Sequence, residues 1–213
     1  MSKRILFLMA LIIASCSDQE RKTEQAESSV NTHQPDSNAV KLNNKAVKFI
    51  GDAAHTYDSL SGFLYDSALM YLNQALEIDS LYLIAYSNKS QVLRRKGKLE
   101  ESLEALNKVQ NIKPNFAEVI TEQGFILEKM GRMELAHQKY SQALKAYEKR
   151  LENDPKNDKV LSDIAFLYIF LEDENAALDE IRDLILKNPE SEQLKMMEGV
   201  IKDFDREKFI EEY

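Results

Sequence analysis

Apolar residues beyond residue 45 recur at three- and four-residue intervals, the spacing that lines one face of an α-helix. Leu161, Ile164, Ala165, Tyr168 and Leu171 make one such face, and Leu99, Leu103, Leu106 and Val109 make another. Gly97 and Gly131 sit in short turns between helical stretches, where glycine accepts the left-handed conformation that ends a helix. Pro114, Pro155 and Pro189 mark further breaks, because proline lacks the donor that would continue a helix. A longer period overlies the short one. Ala68, Ser102, Ala136 and Ala177 are spaced 34, 34 and 41 residues apart, and Leu72, Leu106, Tyr140 and Ile181 keep the same intervals. Ser90, Gly124, Ala165 and Gly199 read 34, 41 and 34. Many independent markers in one register predict a row of similar helix–turn–helix units.

The 41-residue interval places a seven-residue insertion between Leu144 and Pro155. Seven residues are close to two helical turns, so a helix can lengthen by that amount without rotating its apolar face. Met133, Ala136, Tyr140, Ala143, Leu144, Tyr147 and Leu151 hold helical spacing throughout, which predicts one continuous helix from about Met133 to Asn153. The turn of the following unit carries Glu172 and Asp173 in place of glycine.

A 34-residue helix–turn–helix unit with these small, aromatic and proline positions resembles the tetratricopeptide repeat. Residues 83–116 carry Tyr86, Ser90, Gly97, Leu99, Ser102, Leu106, Val109 and Pro114 at the family's places. Residues 117–150 carry Gly124, Leu127, Gly131, Ala136, Tyr140, Ala143 and Leu144, and residues 158–191 carry Leu161, Ala165, Tyr168, Ala177 and Pro189. The resemblance implies an all-α fold, a tetratricopeptide-repeat α-solenoid in which antiparallel helix pairs form a right-handed superhelix. The expected units are about 45–82, 83–116, 117–157 and 158–191, with capping helices over 192–213. The first unit fits loosely, with a first helix near Lys45 to Tyr57 and a long turn from Asp58 to Phe63.

The stretch before the repeats is of another kind. From Ser17 to about Asn44 the chain is polar, with Pro35 in its midst, and is expected to form a flexible tether that cannot bury enough apolar surface to order itself. Ahead of it, Lys3 and Arg4 precede an apolar run from Ile5 to Ala14. That run is too short to span a bilayer, which takes about 20 residues, and suits a secretory signal. It ends Ile13-Ala14-Ser15-Cys16, which resembles the lipobox of bacterial lipoproteins. The resemblance implies a signal peptide over residues 1–15, acylation of the Cys16 thiol with palmitate among the attached chains, and Cys16 as the first mature residue, at the head of a tether reaching to residue 44. Cys16 is the only cysteine of the chain, so no internal disulfide is possible. The expected place is the cell envelope, exported and lipid-anchored. Ser17 rather than aspartate after Cys16 favours an outer-membrane position facing the periplasm.

Composition narrows the function. Hydrophobic residues are 44 % of the chain, enough for a core, and the formal net charge is -8. A nucleic-acid binder usually carries a basic surplus, so nucleic acid is not expected as a partner. Glu134 and His137 form one Glu-x-x-His, half of what a di-iron bundle needs, and no second follows. Phosphate-cradling glycine loops and hydrolase or zinc-protease motifs are absent from the sequence. No enzyme activity, cofactor or metal is expected. The basic cluster Arg94, Arg95, Lys96 and Lys98 complements a helix C-terminus or meets an acidic partner segment.

In this family the first helix of each pair lines a concave groove. The register places Arg94, Phe125, Phe166, Ile169 and Phe170 there, with Glu122, Glu128 and Asp163 as an acidic surround. Asn88 matches one place of the family's carboxylate clamp, but Glu122 and Asp163 stand where such a clamp needs Asn or Arg, which argues against it. Two readings of the phenylalanines stay open. Either they are exposed and hold a ligand, or capping helices or the inserted turns cover them. The expected function is a membrane-anchored scaffold or adaptor that binds another protein or peptide in the groove. The alternatives are a homo-oligomeric structural component of the envelope, and a metal-binding or enzymatic protein.

Overall fold

The computed structural model describes residues 33–56 and 59–213. The expected signal peptide, Cys16 and most of the expected tether lie outside these residues. Pro35–Tyr213 is one compact unit. Among the described residues there are ten α-helices and no strand: α1 (Ser37–Ala54), α2 (Ser59–Ile78), α3 (Leu83–Arg95), α4 (Leu99–Ile112), α5 (Ala117–Lys129), α6 (Met133–Asn153), α7 (Asp158–Leu171), α8 (Glu174–Lys187), α9 (Glu192–Ile201) and α10 (Arg206–Glu212). Consecutive helices pack as pairs, and each pair packs on the next, as an α-solenoid.

The turns are built as the residues dictate. Gly97 and Gly131 have φ of 73° and 74°. Behind each, the chain closes on the preceding helix in the same way. The Gly97 and Lys98 amides donate to Arg94 and Leu93 carbonyls, and the Gly131 and Arg132 amides donate to Glu128 and Leu127 carbonyls. Both are Schellman closures, which satisfy helix-end carbonyls and need a residue at home in the left-handed region. The fourth pair uses another device. Glu172 is extended at φ −120°, and Asp173 accepts from the Asn175 and Ala176 amides, so an N-cap aspartate starts α8 where no glycine ends α7.

Small residues let paired helices close. A Cβ on Gly124 would collide with the Tyr140 ring, so α5 and α6 approach as they do only because position 124 has no side chain. At the equivalent place in α3 and α4, the buried Ser102 hydroxyl donates to the Ser90 carbonyl at 2.8 Å, and the two hydroxyls lie 2.8 Å apart. The Ser102 proton being used, the Ser90 hydroxyl donates to Ser102.

Helix α6 runs unbroken from Met133 to Asn153, as its spacing predicts. Its added turns bury Tyr147 and carry Arg150, whose guanidinium grips Glu118 of α5 with two bonds of 2.7 Å. The insertion thus stitches α6 across to the preceding helix.

Two expectations need correction at the N-terminal end. The tether does not extend to residue 44: α1 begins at Ser37, capped by the Asp36 carboxylate, and Ala39 and Asn43 are buried. Asp36 is itself held, its amide donating to Asp79 Oδ2 at 3.0 Å. Small side chains suffice here, because α1 and α2 meet through Ala39, Ala46, Ala68, Leu72 and Ala75. The long turn expected to reach Phe63 is also too long, since α2 begins at Ser59.

Candidate functional site

The first helices of three successive pairs, α3, α5 and α7, bring the five groove residues to one place. The groove is filled, however, and the filling is the chain's own C-terminal segment. Phe125 is 3 % exposed, Phe166 7 % and Phe170 2 %, so the reading of these rings as an exposed ligand-binding surface does not hold in this state. After α9 the chain turns through Lys202–Asp205 and lays α10 into the concavity.

The packing is ring against ring. Phe125 lies 4.8 Å from Phe170, 5.2 Å from Phe209 and 5.0 Å from Tyr213, centroid to centroid. Phe166 meets Phe204 at 5.5 Å and Phe209 at 5.7 Å, both edge-on. Tilted and edge-on geometry sets the positive ring edge against the negative face of a neighbour, which adds to the area buried. Beneath them Tyr140 joins Phe125 and Phe170, and its hydroxyl donates to Glu128 at 2.7 Å. Burial first, then that bond to Glu128, holds the Tyr140 hydroxyl far above its usual range.

Polar groups fix the segment at both ends. The Arg206 guanidinium donates to both Glu128 oxygens at 2.8 and 3.0 Å, reaches the Ile169 carbonyl at 3.3 Å and lies over the Phe170 ring. A planar guanidinium can make all these contacts at once, which an ammonium could not. At the far end, Lys129 Nζ donates to the Glu211 carbonyl at 2.7 Å and to that of Ile210 at 3.3 Å. The Arg94 guanidinium stacks 3.8 Å from the centre of the Tyr213 ring. Arg94 Nη1 is buried there with no acceptor. Burial, with nearby Glu122, pushes the Tyr213 hydroxyl up.

The acidic surround is divided among partners. Burial pushes the Glu122 carboxyl up to about 7 against the pull of Arg94. Burial likewise lifts Asp163 to about 6, although Lys159 sits 2.9 Å away and opposes it. Burial also works to raise Glu118, but the bonds and charge of Arg150, with Lys159, outweigh it and leave the group lowered. Asn88 donates to Asn43 of α1 at 2.7 Å and so ties two helix pairs together.

The basic cluster does not form one surface. Lys96 pairs with Asp66 at 2.6 Å and Lys98 with Glu101 at 2.8 Å, while Arg94 turns into the groove. Glu134 and His137 are exposed on α6.

Sequence reasoning did not find Arg206, Lys129, Tyr213 and Gln123. Gln123 is fully buried, its amide donating to Asn107 at 2.8 Å, and its carbonyl oxygen has no donor. Arg206 and Lys129 carry no local signal, because their partners lie 78 and 82 residues away. Phe209 and Ile210 are apolar enough to mark a short last helix, but nothing in their spacing says where that helix docks.

The fold and its groove thus define a helical-repeat solenoid whose concave face holds a short helix. Tetratricopeptide repeat families match the chain at residues 83–116 and at 134–201, so the chain carries tetratricopeptide repeats. The protein STIP1 homolog of Dictyostelium discoideum is 32 % identical over 87 residues, which is 38 % of this chain and 15 % of that relative. Solved structures with a similar course include a MamA protein, at 18 % identity and a TM-score of 0.46 over 71 % of this chain and 74 % of that one. The first TPR of Spaghetti (RPAP3), bound to the HSP90 peptide SRMEEVD, is similar at 19 % identity and a TM-score of 0.42, over 62 % of this chain and 93 % of that one.

Proposed function

We propose that this chain is a scaffold or adaptor of the bacterial cell envelope, anchored through lipid on Cys16, that binds a peptide or protein in its concave groove. The observation that carries the reading is the convergence of Arg94, Phe125, Phe166, Ile169 and Phe170, from three successive first helices, around one inserted segment. A surface that seats a short helix by rings, a carboxylate and a lysine is made for binding a polypeptide. The reading is accordingly of a binding protein. Tetratricopeptide repeats are protein-interaction modules, which supports the same conclusion. The lipobox-like run supports the anchor, and Ser17 supports the outer membrane facing the periplasm.

Two measurements test the halves of this proposal. Cys16→Ala should lose palmitate incorporation and leave the membrane fraction, and equal labelling of variant and wild type would contradict the anchor. A photo-crosslinking residue at Ile169, inside the groove, should yield a specific adduct in cells, whereas the same residue at Lys108, on the exposed side of α4, should not. Equal adducts from both positions would contradict the groove as the binding surface.

A further inference from the structure

The groove's occupant shows what the groove recognises. Helix α10 has seven residues, and isolated helices shorter than about 12 residues are marginal in water. Its helical form therefore depends on its dock. The dock is specific: Arg206 is read by Glu128 and the Ile169 carbonyl, Phe209 by Phe125, Phe166 and Phe170, and Tyr213 by Arg94 and Phe125. Lys129 donates to the carbonyls of the last turn, the negative end of the helix dipole. Ile210 is buried beside Phe209, while Glu207, Lys208, Glu211 and Glu212 face outward. One face of α10, together with its C-cap Tyr213, thus carries a cation, an aromatic three residues on and a second aromatic seven on, and all three meet complementary groups. The fit is incomplete at one end, where Arg94 Nη1 is left buried without an acceptor.

We infer that Arg206–Tyr213 is a resident ligand of the groove. It stands in for a partner segment of the same chemistry: a short amphipathic helix with arginine in its first turn and aromatic residues three and seven positions later. The partner binds by displacing α10, so the full chain masks its own binding surface. Partner affinity is set by competition, because only the fraction of molecules with an open groove can bind. This inference rests on the reading of the concavity as a peptide-binding site, and adds the identity of the competitor and the pattern of the ligand.

The test uses full-length chain and a fluorescein-labelled synthetic peptide of residues 203–213, followed by fluorescence anisotropy. A triple variant, Arg206→Ala with Phe209→Ala and Tyr213→Ala, weakens the resident helix without altering the groove. It should bind the peptide at least ten-fold more tightly than wild type, and a peptide carrying the same three alanines should not bind. No binding by a folded triple variant would overturn the groove as a peptide site. Equal binding by variant and wild type would leave that site standing and overturn the masking. Should the triple variant fail to fold, hydrogen exchange on the wild type decides. Amides of 208–213 should exchange at least ten-fold faster than those of α5 and α7, and equal protection would make α10 a permanent part of the core. A dimer in light scattering that holds the segment between copies would overturn masking within one chain.

Discussion

The N-terminal helix pair and the concave centre of the solenoid are held by different means. At the N-terminal end α1 and α2 meet through alanine, with Ala39 and Ala46 against Ala68, Leu72 and Ala75. Several large apolar side chains of α2 point outward: Phe63 is 70 % exposed, and Leu60 and Met70 are exposed as well, while Tyr65, Leu69, Tyr71 and Leu76 stay half-buried against the alanine contact. At the concave centre of α5 and α7 the arrangement is reversed, with seven aromatic rings meeting inside. Alanine contacts bring two backbones close over a long stretch but bury little area per residue. Rings bury far more and bind four helices at once. Phe63 and Phe170 therefore mean opposite things, and truncating each separates the two regions most sharply.

The largest expected effect is at the ring cluster. Phe170→Ala should cost about 3–5 kcal/mol of stability, the range for deleting a buried ring, whereas Phe63→Ala should stay within about 0.5 kcal/mol. Thermal melts of the two variants check this, and similar losses would erase the contrast. Glycine at the helix contact comes next. Gly124→Ala drives a methyl into the Tyr140 ring and should cost about 1–3 kcal/mol. Gly199, helical and with open space around it, should instead gain up to about 1 kcal/mol on becoming alanine. Urea unfolding of the pair tests whether close approach, rather than glycine itself, matters.

Charge at the groove should give a smaller and pH-dependent effect. Glu122 has a folded pKa of about 7, above the usual 4.5. The folded state therefore holds that proton more tightly than the unfolded chain does. Its contribution to stability is full below pH 4.5 and is lost as pH rises through 7. Glu122→Gln, which stays neutral, should match wild type near pH 4 and exceed it by about 1–2 kcal/mol at pH 8. A difference independent of pH would contradict the buried carboxyl. The smallest effect is at a turn: Gly131→Ala should cost about 1 kcal/mol for forcing a side chain into the left-handed region at φ 74°. Denaturant titration checks it.

The repeat architecture was legible because its signals are local and recur. Gly97 and Gly131 take the left-handed turns, the prolines stand at the breaks, and the seven-residue insertion reads as two added turns of α6. The first turns of α1 were hidden because the residues they bury fully, Ala39 and Asn43, are small or polar; only Asp36 as a cap hints at the start. The groove was legible as positions and not as contents. Register alone brings Arg94, Phe125, Phe166, Ile169 and Phe170 together. Their burial depends on the path of residues 202–213 through space, and the Arg206–Glu128 pair that fixes that path spans 78 residues. Such a long-range docking leaves no period in the sequence.

The central claim is that the concave face is a polypeptide-binding surface held by the chain's own C-terminal helix. The chain has no tryptophan, so Tyr213→Trp places a single reporter against Arg94 and Phe125. Its fluorescence should be blue-shifted and shielded from iodide in the full-length protein, and should move to the red as unlabelled 203–213 peptide is titrated in. Emission typical of a water-exposed indole before any peptide is added would contradict the docked helix, and a blue-shifted emission unmoved by saturating peptide would contradict its displacement.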